Sequence, residues 1–147
     1  ATDALGKIPV FGIFFRTIDI SVNRTNRRDS HQAFIMADQR LKEGTSVLIF
    51  PEGGIHENVP PMAKFKSGAF KLAIENQIPI VPITLLDHWK RLPGGGYENG
   101  LMPGRARMIV HQEVSTIGLK MEDKDELQAK VFSIIDAEFR KHNPEIN

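Results

Sequence analysis

Two short runs, "SVLIF" at residues 46–50 and "IVPITLL" at residues 80–86, are apolar almost throughout. Between them Phe70, Ala73 and Ile74 recur at helical spacing behind Ser67, a residue type that caps helices. Strands this short and this apolar belong to sheets covered on both faces. The order strand, loop, helix, strand forms a crossover that sets its two strands parallel. This constraint predicts an α/β fold: a three-layer sheet flanked by helices, mostly parallel around the β-α-β unit.

The rest of the chain fits around that unit. Residues 18–22 read as a short strand. Asp29 or Ser30 can cap a helix in which Phe34, Ala37 and Leu41 share a face, and Gly44 stops it. Residues 87–104, "DHWKRLPGGGYENGLMPG", read as a long loop, with a strand following at residues 106–111. Near the end Asp123 and Glu126 stand at capping-box spacing, before a helix whose Leu127, Val131, Ile134, Ile135 and Phe139 form one apolar face. No repeat, low-complexity tract or linker divides the sequence, so residues 1–147 are expected to form a single domain.

Composition narrows the chemistry. With 147 residues, 41% hydrophobic and 25% charged, the chain can bury an ordinary globular core. It has no cysteine, which removes disulfides, thiolate metal sites and a cysteine nucleophile. No apolar run approaches the ~18 residues of a membrane span. The formal charge of +1 is unevenly spread: residues 1–112 carry 14 Lys/Arg against 10 Asp/Glu, and residues 113–147 carry 5 against 8. That excess suits an anionic small molecule or an anionic membrane surface. It is too small and too scattered for nucleic acid.

The first apolar run leads directly into "PEGGIH". Pro and Gly are explained by a turn, but Glu52 is not. A carboxylate at the carboxyl end of an interior strand occupies the place where open α/β sheets hold their ligands. Taken alone, Glu52 is equally a turn residue or an ion-pair partner.

Three blocks in order give this stretch a family. Phe50-Pro51-Glu52-Gly53, Phe65-Lys66-Ser67-Gly68 and Pro79-Ile80-Val81-Pro82 resemble, in order and spacing, the central part of the glycerolipid acyltransferases, which include the 1-acylglycerol-3-phosphate acyltransferases. Upstream, "GKIPVFGIFFRTIDISVNR" is similar to that family's Lys-Ile-Pro stretch and its arginine-ended block, with Arg24 as the arginine. The resemblance covers roughly residues 5–90. It implies transfer of an acyl group from acyl-CoA or acyl carrier protein to the free hydroxyl of lysophosphatidate or a similar lyso-glycerolipid, in phospholipid biosynthesis. It implies no metal or bound cofactor, and a location on the cytoplasmic face of a membrane, peripheral or anchored through a part outside this chain.

The family's catalytic His-x-x-x-x-Asp is absent: none of His31, His56, His88, His111 or His142 has Asp five positions on. The expectation is a fragment whose His and Asp lie N-terminal to it; the alternative is a non-catalytic lipid- or phosphate-binding module. What the resemblance leaves to these residues is substrate binding. Arg24 would bind phosphate oxygens, Glu52 in its Phe50-Pro51 setting would hold a glycerol hydroxyl or an arginine, Gly53 and Gly54 would admit close backbone approach, and Lys66 would add charge beside a helix start. Arg24, followed by Arg27 and Arg28, is on sequence grounds equally a solvated cluster. Many relatives continue Phe-Pro-Glu-Gly with Thr-Arg-Ser, whereas this chain has Ile55 and His56, which leaves the acceptor open. His56 reads as a surface residue, and Gly94 to Gly96 as a mobile loop. Residues 8–15 suit an acyl channel or a membrane face as well as a core; Trp89, Tyr97, Leu101 and Met102 suit an interface.

Since loss of a general base commonly lowers a rate by ~10²–10⁴, the 147 residues alone are expected to show no acyl transfer. Incubation with an acyl thioester and lysophosphatidate checks this, and turnover above a heat-killed control would place the base within these residues.

Overall fold

The computed structural model describes Ile20, residues 27–54, residues 61–91, Gly100 and residues 102–146. Arg24, Ile55, His56, Gly94 to Gly96, Tyr97, Leu101 and residues 8–15 lie outside the described residues. The chain forms two compact units, Ala1–Leu48 and Ile49–Asn147.

In the first unit, helix α1 (Arg27–Lys42) begins ahead of both proposed caps. Asp29 therefore lies in the first turn, where its charge suits the helix dipole, as Arg40 and Lys42 do in the last. Its Ala37 is buried, and Phe34 and Leu41 on the same face are half-buried. Gly44 ends the helix as expected: with φ at 81° it turns the chain so that the N–H groups of Gly44 and Thr45 reach the Leu41 and Arg40 carbonyls.

Residues 46–50 differ from expectation. They form no strand, and Leu48 and Phe50 are 70% and 65% exposed. The strand expected at residues 18–22 lies outside the described residues except for Ile20, which has no regular structure. The expected parallel neighbour of residues 46–50 is at residues 80–86, where β1 pairs with β2 among the described residues.

The second unit is built on helix packing. Helix α2 (Gly68–Asn76) has Ser67 at its N-cap position, without a side-chain capping bond, and buries Phe70, Leu72, Ala73 and Ile74. It ends at Gln77, whose φ of 51° is unusual for a residue with a side chain. The Gln77 amide offsets that strain by donating to the Ile74 and Leu119 carbonyls and accepting the Gly118 N–H. Strand β1 (Ile83–Leu85), the short helix α3 (His88–Arg91) inside the expected loop, and strand β2 (Met108–Val110) follow.

Helix α4 (Lys124–His142) buries Leu127, Val131 and Phe139, with Ile134 and Ile135 half-buried on the predicted face. Its start departs from the predicted capping box. Asp123 reaches backward to accept the Lys120 N–H at 2.7 Å, closing a 3-10 turn over Met121–Asp123, so it does not cap α4 with its side chain. The core joins α2 to α4 through Phe65, Phe70, Ile74, Val114, Leu127 and Val131. Phe65 stacks on Phe70 with ring centres 6.3 Å apart and meets the edge of Phe132 at 5.0 Å.

β1 and β2 are antiparallel, with Ile83, Thr84 and Leu85 opposite Val110, Ile109 and Met108. Ile80 and Val114 exchange both backbone bonds to extend the pairing. This is the regular sheet among the described residues, and its partners lie C-terminal to β1, outside the predicted parallel unit. Its far end is locked by Asp87, which is buried beside the last residues of β1 and accepts three bonds from Arg107: from the backbone N–H at 3.1 Å, from Nε at 2.7 Å and from an Nη at 2.8 Å. The Arg107 guanidinium holds the Asp87 carboxyl far below the ordinary carboxylate range, against the opposing pull of desolvation.

Because the folded form resists protonation, Asp87 contributes its full stabilisation above its ordinary value of 3.8, and that contribution is lost progressively as pH falls below it. Asp87→Asn should therefore lower the urea midpoint at neutral pH and flatten its decline below about pH 4 relative to the parent chain. Parallel midpoint-against-pH curves for the two proteins would show that this pair does not act in this way.

Candidate functional site

The turn after residue 50 follows from its sequence. Pro51 presets the first central dihedral and Gly53 supplies a φ of 73°, so the Gly53 N–H returns to the Phe50 carbonyl at 3.1 Å. Pro51, Glu52, Gly53 and Gly54 are all half-buried, and Phe50 projects outward.

This turn is fastened to the segment before α2 at three points. The Lys66 N–H donates to the Pro51 carbonyl at 2.7 Å. Glu52 Oε2 accepts the Ala63 N–H at 2.8 Å. The Lys66 side chain lies across Gly53 so closely that a Cβ there would stand 2.6 Å from Cε and 2.7 Å from Nζ. Lys66 is thus carried over the turn, one residue beyond the buried Phe65, whose carbonyl is in turn held by Gln128 of α4 at 3.1 Å.

The structure therefore brings together Pro51, Glu52, Gly53 and Lys66, drawn from two of the three sequence blocks. In this arrangement the open face of Gly53 is covered by the exposed Lys66 side chain, and its N–H bonds within the turn. Glu52 is more than a turn residue, since it also organises the Ala63 backbone. Arg24 lies outside the described residues. Sequence reading missed the anchoring role of Phe65; the signal was present in its place directly before Lys66.

The acyltransferase family pattern matches residues 1–86, more than half of the chain. The chain belongs to the acyltransferase family. It is 38% identical over 106 residues to a 1-acyl-sn-glycerol-3-phosphate acyltransferase of Chlamydomonas reinhardtii, covering 71% of this chain and 31% of that one. An uncharacterized acyltransferase of Schizosaccharomyces pombe is 31% identical over 132 residues, covering 86% of this chain and 46% of the relative. The crystal structure of the 1-acyl-sn-glycerophosphate (LPA) acyltransferase PlsC of Thermotoga maritima matches with a TM-score of 0.78 at 23% identity, over 96% of this chain and 54% of that one. The likeness shows the fold, that of the PlsC acyltransferase, and the chain spans about a third to a half of the length of these relatives.

In this acyltransferase chain Gly53→Ala should destabilise by ~1–3 kcal/mol, because a side chain there is strained by its dihedral and by the Lys66 stem. The double variant Gly53→Ala with Lys66→Ala removes only the overlap, and should recover part of the loss in urea unfolding. Strict additivity of the two changes would show that the contact carries no energy.

Proposed function

We propose that the chain is the acceptor-positioning part of an enzyme that moves an acyl group from acyl-CoA or acyl carrier protein to the free hydroxyl of lysophosphatidate or a related lyso-glycerolipid. The observation that carries this reading is the fastening of Glu52 and Lys66 into one site by the Pro51, Ala63 and Gly53 contacts. A carboxylate and an ammonium on a common rigid platform suit a molecule that offers a hydroxyl and a phosphate. The names of the relatives support the same acceptor class.

In the reaction the acceptor oxygen attacks the thioester carbonyl, a base takes the hydroxyl proton, and the C–S bond breaks to release the thiol after proton return. These residues contain no His-x-x-x-x-Asp, so in this reading the base and its orienting carboxylate come from outside them. Glu52 orients the glycerol hydroxyl, Arg24 and Lys66 hold the phosphate, and Phe50, Pro51 and Gly54 shape the wall beside them. The likeness to PlsC supports the finer expectation as well, a three-layer sheet flanked by helices and mostly parallel around the β-α-β unit. A lipid acceptor also favours work at the cytoplasmic face of a membrane. Among the described residues no helix is long and apolar enough to cross one, which suits a peripheral position or an anchor elsewhere. The missing His-Asp pair favours a second reading, a lipid-binding module without turnover, and kinetics of the intact parent separate the two.

In that parent, Glu52→Gln should lower acyl transfer by about ten-fold or more while keeping the fold, because the amide still accepts the Ala63 N–H but has lost its charge; a lost charge-assisted bond costs ~1.5–3 kcal/mol. Arg24→Ala should weaken the phosphate-bearing acceptor by a similar factor and leave the thioester donor unchanged. Equal weakening of donor and acceptor would remove Arg24 from the acceptor site, and unaltered kinetics in Glu52→Gln would remove Glu52. An intact parent that binds lysophosphatidate without transferring acyl groups to it would favour the module.

A further inference from the structure

A cavity of about 330 Å³ opens beside the end of β1, lined by Asp87, Arg91, Arg105 and Arg107. None of these residues belongs to the three motif blocks, and the acyl-transfer reading gives them no task. Among the described residues, three guanidiniums here meet one carboxylate. Such a concentration of like charge disfavours the empty site unless something offsets it, and the way the side chains are held shows what that could be.

Asp87 is fully engaged: Oδ1 and Oδ2 both accept from Arg107, so it neutralises one arginine and is shielded behind it. Arg91 is fixed by backbone carbonyls and feels the Asp87 charge only as a weaker partner, behind Arg107. Its Nε and one Nη donate to the Arg105 and Pro103 carbonyls, each at 3.0 Å. The chain makes room for this by placing Gly104 between those carbonyls, where a Cβ would overlap the Arg91 guanidinium. Arg105 is exposed and takes part in no ion pair among the described residues. Two arginines are thus held rigid by backbone or carboxylate acceptors with N–H donors left over, and a third stands free at the rim.

We propose that Arg91, Arg105 and Arg107 form a phosphate-binding site. Guanidinium donors in fixed, fork-like geometry match the oxygens of a phosphate mono- or diester, and charge-assisted bonds of this kind are about twice as strong as neutral ones. Holding Arg91 and Arg107 in place beforehand reduces the side-chain ordering that binding otherwise costs. Arg107 stays paired with Asp87 throughout, so the surplus charge on Arg91 and Arg105 attracts the ligand. The cavity lies at the small end of the range that encloses compact ligands, suited to a headgroup or a free phosphate ester. The site is independent of the acyl-transfer reading, and its test reads binding alone.

Inorganic phosphate is titrated into the full chain at low ionic strength while the arginine Nε–H resonances are followed by NMR, and sedimentation is measured with phosphatidylcholine vesicles with and without phosphatidate. The Arg91 and Arg107 signals should shift saturably. Arg105→Ala should weaken binding by about ten-fold, with the unfolding midpoint unchanged because Arg105 supports no other group. Arg105→Lys should recover only part of the affinity, since it restores charge without the fork. Saturation by phosphate without selective vesicle binding identifies a soluble phosphate ester as the source; selective sedimentation with phosphatidate vesicles, weakened by Arg105→Ala, identifies a lipid headgroup. Either result supports the site. If the parent chain binds neither probe, or if Arg105→Ala binds as the parent does, the site does not exist.

Discussion

The burial of Phe65 is the interaction on which the rest depends. Its ring sits between Phe70 at the start of α2 and Phe132 on α4, and its carbonyl is held by Gln128. Filling that position with a large aromatic ring contributes several kcal/mol, on the scale of ~3–5 for truncating a buried Phe to Ala. The next residue, Lys66, then has no choice of place. Its N–H meets Pro51 and its stem crosses Gly53, so the turn that presents Glu52 is positioned by a hydrophobic contact made one residue beyond the polar group that uses it.

This explains what could be read from the sequence. The longer helices were legible, because α2 and α4 carry apolar residues at helical spacing, and the faces so marked are those that pack; the short α3 was not, lying within a segment read as loop. Strand 80–86 was legible in part: β1 occupies its centre, and its partner β2 falls within the strand expected at residues 106–111. Residues 46–50 show no regular strand and Leu48 and Phe50 are exposed, since an apolar run marks a candidate strand without specifying its hydrogen-bond partner.

The candidate site was legible as a set of residues and illegible as a geometry. Three ordered blocks marked Glu52 and Lys66 as related. That the Lys66 side chain lies across Gly53 depends on a contact across the chain that spacing does not reveal. The Asp87 pair was hidden more deeply. It joins the first residue of a segment read as one long loop to the strand after it, and neither Asp87 nor Arg107 has a local pattern to mark it.

The backbone bond from Lys66 to Pro51 has a consequence for how the site comes apart. Lys66 is itself exposed, yet its amide is tethered one residue from a ring buried in the core. One side of that bond is anchored by Phe65 between α2 and α4, so the platform's opening is tied to the core on that side. Its amide proton should exchange with solvent on the timescale of the core helices, slower than that of an ordinary surface loop. A site tethered in this way is ordered wherever the unit is folded, and it melts only with it.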